Sequence, residues 1–241
     1  MPLQQFPVDE LMQAIAAENN LAETAFIVPK EGDYLIRWFT PTTEVPLCGH
    51  ATLASAAVVM ERLEPARSRV VFQSASGPLT VIRTRPGYAM NFPIRPAQQV
   101  PAPANLALAL GTEPVEILAD EFNYTAVLRS AQEVRELAPD LREIARLDRS
   151  GVVVTAACDA PHEPYDFVSR YFAPAKGIPE DPVTGGAHCM LVPYWSERLG
   201  KNSLRAYQAS LRGGELSCRL LGDRVEMEGS CVFYLEGQVT L

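Results

Sequence analysis

An internal repeat is the sequence feature that most limits how this chain can fold. Residues 37–41 read Arg-Trp-Phe-Thr-Pro and residues 170–174 read Arg-Tyr-Phe-Ala-Pro, so both follow the pattern Arg-aromatic-Phe-small-Pro. Each block precedes a glycine-containing turn, at 46–51 and 182–187, and each turn leads into an apolar stretch that ends in Glu-Arg-Leu. Landmarks in the same order predict two copies of one unit built from a strand, a glycine turn, a helix, a second turn and a strand.

The two repeated helices are predicted to lie at the centre of the fold. Residues 51–63 and 187–199 are apolar on nearly every side, which is typical of helices enclosed by other structure. Residues 9–19 predict a further helix with one apolar face. Runs of β-branched and aromatic residues predict strands at 25–28, 70–72, 79–82, 151–155 and 231–235. We therefore expect an α+β fold with two pseudo-symmetric domains, each a mixed β-sheet rolled around a central apolar helix.

A proline-rich segment at 92–103 interrupts both the helical and the strand patterns of apolar residues, and it marks a boundary between the halves. It predicts an N-terminal half at 1–97 and a C-terminal half at 98–241, whose last strand packs back on the first half. Far fewer residues precede the repeated block in the first half than in the second. This asymmetry predicts that the N-terminal half lacks its first strand.

Charge and cysteine content narrow the class of protein. The chain of 241 residues has a formal net charge of −8, which argues against a nucleic-acid-binding surface. Its five cysteines form no disulfide framework, as in proteins that keep their thiols reduced. The amino terminus has no secretory signal pattern, and no apolar run is long enough to span a bilayer. These features predict a soluble cytoplasmic protein with no membrane or nucleic-acid partner.

The two glycine turns are the candidate functional elements. A turn that opens a helix leaves unpaired backbone N–H groups and the positive end of the helix dipole directed outward. Two such turns from symmetric halves would face one cleft and bind a small anion, most simply a carboxylate, through amides near Gly49 and near Gly185 and Gly186. His50 and Asp181 lie beside these turns, and both side chains can move or orient protons.

Each of these residues also has a purely structural interpretation. Asp181 could cap the helix that follows Pro182, His50 could be a packing residue, and Cys48 could be a small buried hydrophobe. For His188, one residue inside the second helix, the structural interpretation is favoured. The spacing of cysteines and histidines predicts no metal site, because Cys189 and His188 are adjacent and no second pair exists.

Three motifs together carry a resemblance to a known family. NNLAETAF at 19–26, LCGHATLA at 47–54 and EDPVTGGAHC at 180–189 resemble the PhzF (phenazine biosynthesis-like) family. The resemblance implies the diaminopimelate epimerase-like fold, a homodimer, and isomerisation by proton transfer without a cofactor. The family's pattern usually has serine at the position of Gly186, and it begins with a further strand and a Gly-Asn-Pro segment that do not occur before Pro7.

The resemblance implies a role for each residue of the predicted site. Glu23 would be the carboxyl group that shuttles the proton, with His50 and Asp181 as its catalytic partners. The substrate-binding residues would be Cys48, Gly49, Thr184, Gly185 and Gly186.

Three functions remain open at this point. The first is a cofactor-independent isomerase that moves a proton on a small carboxylate bound between the domains. The second is a non-catalytic binding protein on the same fold, which Gly186 and the short amino terminus favour. The third is a racemase-like or dehydratase-like enzyme dependent on Cys48, although its partner in the repeat is Thr184 and not a second thiol.

Overall fold

The computed structural model describes residues 1–159 and 162–239, and the following elements refer to those residues. The helices are α1 (Asp9–Asn19), α2 (Gly49–Val58), α3 (Leu106–Leu110), α4 (Ala131–Glu136), α5 (Leu141–Ile144) and α6 (Gly185–Leu199). The strands are β1 (Thr24–Lys30), β2 (Asp33–Phe39), β3 (Glu44–Val45), β4 (Arg69–Ser74), β5 (Gly77–Arg83), β6 (Tyr88–Pro93), β7 (Gln98–Gln99), β8 (Glu116–Ala119), β9 (Asn123–Val127), β10 (Gly151–Ala157), β11 (Phe167–Phe172), β12 (Ser203–Gln208), β13 (Gly214–Leu221) and β14 (Arg224–Gly229). In these residues, no helix is both long and apolar enough to cross a membrane.

The predicted repeat is confirmed in the strand pairing. In the first half, β1–β2 is antiparallel, β2–β4 parallel, and β4–β5 and β5–β6 antiparallel. In the second half, β10–β11 is antiparallel, β11–β12 parallel, and β12–β13 and β13–β14 antiparallel. The two series meet where β6 pairs antiparallel with β14, so the halves share one continuous mixed sheet.

The central helices occupy equivalent positions in the two halves. Each helix begins at the glycine of its turn, two residues earlier than predicted. α2 continues through a π-helical turn (Val59–Leu63), and its total length is then similar to that of α6. Both helices contribute buried side chains to one core that includes Trp38 and Phe72 from the first half and Leu191 and Trp195 from the second. Because this core is continuous, the two helix N-termini are held at a fixed relative position.

The remaining helices cover the outer faces of the sheet. In the first half, α1 packs Met12 and Ala16 against Phe26 and Phe39. In the second half, α3, α4 and α5 cover β8 to β11 and enclose a separate apolar cluster. The sheet is therefore buried on both faces over much of its area, which explains its continuous runs of apolar residues.

The repeated arginines anchor the glycine turns. Arg37 of β2 binds both carboxylate oxygens of Glu44 at 2.7 Å, and Arg170 of β11 binds those of Glu180 at 2.7 and 3.0 Å. Each guanidinium also lies over the phenylalanine two residues later in its own block. Paired hydrogen bonds of this type restrict orientation, so each strand holds the chain just ahead of its turn.

The predicted strand at 231–235 is wrong. β14 ends at Gly229 and is already paired on both sides, by β13 and β6, so no neighbouring edge is available to the residues after it. Val232 and Tyr234 are almost fully exposed, while Phe233 packs against the guanidinium of Arg62 at 3.9 Å. High β propensity does not form a strand when the sheet offers no partner.

The first residues of the chain lie against β1. The amide of Leu3 donates to the carbonyl of Ile27, and the amide of Ile27 donates to the carbonyl of Met1, both at 2.9 Å. Residues 1–3 thus lie beside β1, with a parallel bridge between Pro2 and Ile27.

Candidate active site

A cavity of about 250 Å³ lies where the N-termini of α2 and α6 meet. The helices begin almost head to head: a Cβ atom on Gly49 would lie 3.4 Å from the Cα of Gly185, and one on Gly185 would lie 3.5 Å from the Cα of Gly49. Both helices therefore direct the positive ends of their dipoles and their unpaired amides towards the same space. The predicted binding residues Cys48, Gly49, Thr184, Gly185 and Gly186 all line this cavity, as do Glu23, His50 and Asp181.

Glu23 enters the cavity from the segment just before β1. Its side chain is only 8% exposed, and its Oε2 lies 3.1 Å from Nε2 of His50. No described residue donates an aligned hydrogen bond to this oxygen. The contact is therefore a close charge pair in which one carboxylate oxygen keeps its hydrogen-bonding capacity.

Asp181 approaches His50 from the other half of the molecule. Its Oδ1 lies 3.9 Å from Nδ1 of His50 and has no hydrogen-bond partner among the described residues, whereas its Oδ2 accepts from the Thr184 hydroxyl. Burial raises the pKa of this carboxyl group. The helix-capping interpretation is wrong, because Thr184 is the N-cap residue and the Asp181 side chain accepts no helix amide.

His50 lies between these two carboxylates and beside Cys48, whose Sγ is 3.8 Å from Nδ1 and 3.9 Å from Nε2. Burial alone lowers the pKa of His50, but its neighbours outweigh burial and hold the pKa well above its usual value. Burial also raises the pKa of the Cys48 thiol to about 11. The neighbours that raise the pKa of His50 are Cys48, whose effect is the largest, then Glu23 and Asp181.

Arg95 is a cavity residue that the sequence analysis missed. Its Nη1 lies 3.8 Å from the position of a Cβ on Gly186, and its guanidinium lies over the ring of Phe122. Among the described residues this guanidinium has no ion pair and no side-chain hydrogen bond. A half-buried cation beside a helix N-terminus adds to the attraction for an anion.

A proline inside α6 contributes to the position of Arg95. Pro193 has no N–H, so it cannot donate the helical hydrogen bond that the carbonyl of Cys189, four residues earlier, would otherwise accept. That carbonyl instead accepts the backbone N–H of Arg95 at 3.0 Å. A proline in the interior of a predicted helix, together with the proline-flanked Arg95, is the sequence signal that could have identified this contact.

A second group that the sequence did not indicate lines the same cavity. Nζ of Lys176 donates to the Tyr171 hydroxyl at 3.1 Å, and that hydroxyl donates to Oδ1 of Asn123 at 3.0 Å. Burial lowers the pKa of Lys176 and raises that of Tyr171. Tyr171 belongs to the second repeated block, but nothing in the block itself indicates that it borders the cavity.

His188 is a packing residue, as the sequence favoured. It is fully buried, its Nδ1 contacts the carbonyl of Thr184 at 2.8 Å, and its ring packs near Phe167. Burial lowers its pKa to about 4, so the ring is neutral at ordinary pH.

Comparison with known proteins shows similarity along almost the whole chain. The family model described as phenazine biosynthesis-like protein, PhzC-PhzF, matches residues 7–237. An uncharacterized isomerase of Pseudomonas aeruginosa is 48% identical over 97% of this chain and 88% of its own length. The crystal structure of a PhzF-family protein from Enterococcus faecalis is 40% identical, with a TM-score of 0.92 over 100% of this chain and 91% of that chain. At the level of fold alone, a predicted epimerase of Pseudomonas aeruginosa superimposes with a TM-score of 0.68 at 20% identity, over 92% of this chain and 85% of that chain.

Proposed function

The chain belongs to the phenazine biosynthesis-like (PhzC-PhzF) family, and from that premise we propose that it is a cofactor-independent isomerase that moves a proton on a small carboxylate substrate. The observation that carries the proposal is the buried arrangement of Glu23, His50 and Asp181, which joins acid–base groups from both halves in one cavity. The relative named an isomerase in Pseudomonas aeruginosa supports the reaction class.

In the proposed reaction, Glu23 is the base and then the acid. Its carboxylate takes a proton from a carbon next to an electron-withdrawing group of the substrate, which leaves an electron pair delocalised over that group. The protonated Glu23 then returns the same proton to a different carbon, so substrate and product differ only in the position of a hydrogen and a double bond. A carboxyl group enclosed at 8% exposure exchanges its proton with solvent less readily than an exposed one.

His50 and Asp181 position the base. The imidazolium favoured at His50 holds the Glu23 carboxylate through the 3.1 Å contact, and Asp181 holds the other side of the ring at 3.9 Å. This arrangement restricts the Glu23 carboxylate before the substrate enters. A base held in one orientation needs less reorganisation when the proton moves.

The substrate carboxylate would be bound at the helix N-termini. The absence of side chains at Gly49, Gly185 and Gly186 lets a ligand approach the backbone closely. Arg95 supplies a formal positive charge beside the second turn. The same groups would stabilise the negative charge that spreads towards the carboxylate during proton transfer.

The structure argues against the reaction dependent on Cys48. Attack or proton abstraction by sulfur requires a thiolate, whereas burial raises the pKa of Cys48 to about 11. The repeat partner, Thr184, donates its hydroxyl to Asp181 and is not a base. A one-thiol mechanism therefore lacks an activated thiol.

Proton NMR in deuterated water tests the proposal. The wild type and Glu23→Gln are incubated with a panel of small amino, hydroxy and dihydroaromatic carboxylates, and exchange or isomerisation is followed at each carbon. Catalysis by the wild type that disappears in Glu23→Gln supports the isomerase. Binding of a carboxylate without exchange, with equal affinity in both proteins, would favour the non-catalytic binding protein.

A further inference from the structure

Three different metal-binding groups meet in the cavity. A carboxylate oxygen of Glu23, Sγ of Cys48 and a ring nitrogen of His50 all lie within 4.8 Å of one another. Two of the separations are 3.1 Å, from Glu23 Oε2 to His50 Nε2, and 3.9 Å, from Cys48 Sγ to the same nitrogen. Tetrahedral zinc, with bonds of about 2.0–2.3 Å, places its ligand atoms roughly 3.3–3.8 Å apart. The two separations are near that range, but Sγ lies almost equally far from Nδ1 (3.8 Å) and Nε2 (3.9 Å), so the Cys48 or His50 side chain must rotate for one ion to reach all three ligands.

The carboxylate oxygen closest to His50 is available as a ligand. The Glu23 side chain is more than nine-tenths buried, and its Oε2 accepts no hydrogen bond from any described residue. This buried oxygen has only the unaligned 3.1 Å contact with Nε2 of His50 and no hydrogen bond, and a metal ion would satisfy it. This second observation points to a ligand independently of the spacing of the three groups.

Asp181 lies near the second ring nitrogen of His50 and could orient the ring for metal binding. If Nε2 binds the metal, the proton of the imidazole lies on Nδ1, which is 3.9 Å from the unpartnered Oδ1 of Asp181. A shift of roughly 1 Å would make this a hydrogen bond. Metal-binding histidines generally donate their second N–H to a carboxylate or carbonyl group in this way.

We propose that Glu23, Cys48 and His50 bind one zinc ion, and that zinc bound there is an inhibitor of the protein. The Glu23 carboxylate and the Cys48 thiolate supply two negative charges, which balance the charge of the ion, and His50 binds as a neutral ligand. Zinc binding would deprotonate both the Cys48 thiol and the His50 imidazolium, and the two protons would be released to solvent. The ion would occupy the oxygen and nitrogen proposed to move and orient the substrate proton, so binding and proton transfer exclude each other.

The donor set selects the metal. Sulfur, nitrogen and oxygen together suit zinc, a borderline-soft ion that accepts all three with four ligands, and a water molecule or the substrate carboxylate would complete the set. Magnesium and calcium require oxygen ligands and are not expected to bind. Glu23 comes from a different segment of the chain than Cys48 and His50 and meets them only in the fold, so the spacing of cysteines and histidines could not indicate this cluster.

Binding is measured first, without substrate. Protein stripped with a chelator is titrated with Zn²⁺ by calorimetry, with Mg²⁺ as the comparison, and with Co²⁺ while the absorption spectrum is recorded. We expect one equivalent of Zn²⁺, no binding of Mg²⁺, and a thiolate-to-cobalt charge-transfer band in the near ultraviolet. Absence of zinc binding in the wild type, or a cobalt complex without that band, overturns the proposal.

Variants assign the ligands. Cys48→Ser is expected to lose the charge-transfer band and to bind Zn²⁺ at least tenfold more weakly, and Asp181→Asn to bind it about 10–100-fold more weakly. The matched control is the double variant Cys158→Ser, Cys231→Ser, which removes the two cysteines that are not fully buried and keeps Cys48. Loss of the band in the control, or its persistence in Cys48→Ser, contradicts the assignment. Thermal unfolding without metal verifies that each variant is folded.

Inhibition is measured separately, because this part of the inference rests on the proposed isomerase. Once a substrate is found, Zn²⁺ is expected to abolish exchange and a chelator to restore it. If no substrate is found but zinc binds at Cys48, the isomerase proposal fails and the metal site stands. If exchange occurs and zinc binds without slowing it, the inhibitory role is wrong.

Discussion

The backbone N–H of Arg95 donates to the carbonyl of Cys189, which Pro193 leaves without a partner inside α6. A proline four residues further along the helix thereby creates an acceptor for a segment that joins the two halves. The contact holds the chain at Arg95 against the central helix, and the guanidinium lies beside Gly186 at the start of the same helix. One helix thus contributes both to the position of Arg95 and to the surroundings of its guanidinium, which has no ion pair within the part of the chain that the structure describes.

Replacing Arg95 by alanine is expected to weaken binding of the substrate carboxylate. A hydrogen bond to a charged group contributes about 1.5–3 kcal/mol, so the KM or Kd should rise roughly 10–100-fold. Substrate titration of Arg95→Ala and of the control Arg85→Ala, an exposed arginine, measures this. Equal affinity in the two variants would show that Arg95 does not bind the carboxylate.

Replacing Pro193 by alanine is expected to affect binding without unfolding the protein. The new N–H would compete with Arg95 for the carbonyl of Cys189, while alanine itself favours the helix. We expect a melting temperature no lower than that of the wild type and a weaker affinity for the carboxylate. Faster amide hydrogen exchange at Arg95 is the direct measurement, and unchanged protection there would contradict the competition.

Replacing Gly186 by serine introduces the residue that the family resemblance of the sequence implies for this position. A Cβ there would have only an ordinary contact, 3.8 Å from Nη1 of Arg95, so the fold should tolerate the change. The matched control is Gly214→Ser, because a Cβ at Gly214 would lie 2.2 Å from Cγ2 of Val183. We expect the control to have the lower melting temperature by several degrees, as overpacking typically costs about 1–3 kcal/mol. Equal melting temperatures would show that the space around the two glycines does not differ as described.

The cluster around His50 predicts how stability depends on pH. The pKa of His50 in the folded protein is well above its value in the unfolded chain, so the folded state binds the additional proton. Its stabilising contribution is complete below about pH 6.5, the unfolded value, and is lost as pH rises towards the folded pKa. Urea unfolding at pH 6 and pH 8 should show a larger loss in the wild type than in His50→Gln. An equal loss in both would rule out His50 as the titrating group.

Much of the fold could be predicted from the sequence, because its signals are local. The apolar character of the two repeated helices, their glycine turns and the Arg-aromatic-Phe blocks depend only on neighbouring residues, and the structure contains all of them in the predicted order. The strand predicted at 231–235 failed for the opposite reason. Whether such a segment pairs depends on a free edge elsewhere in the sheet, and both sides of β14 are occupied.

The site shows the same difference between local sequence signals and contacts between distant segments. The sequence by itself determined where two helix N-termini and their adjacent residues His50 and Asp181 would occur, since turns and caps follow from residue type and order. Only the tertiary structure decided that Gly49 and Gly185 come into contact, that Arg95 and Lys176 line the same cavity, and how closely Glu23 approaches Cys48 and His50. These are contacts between distant segments, and their distances depend on how the continuous core packs the two helices against each other.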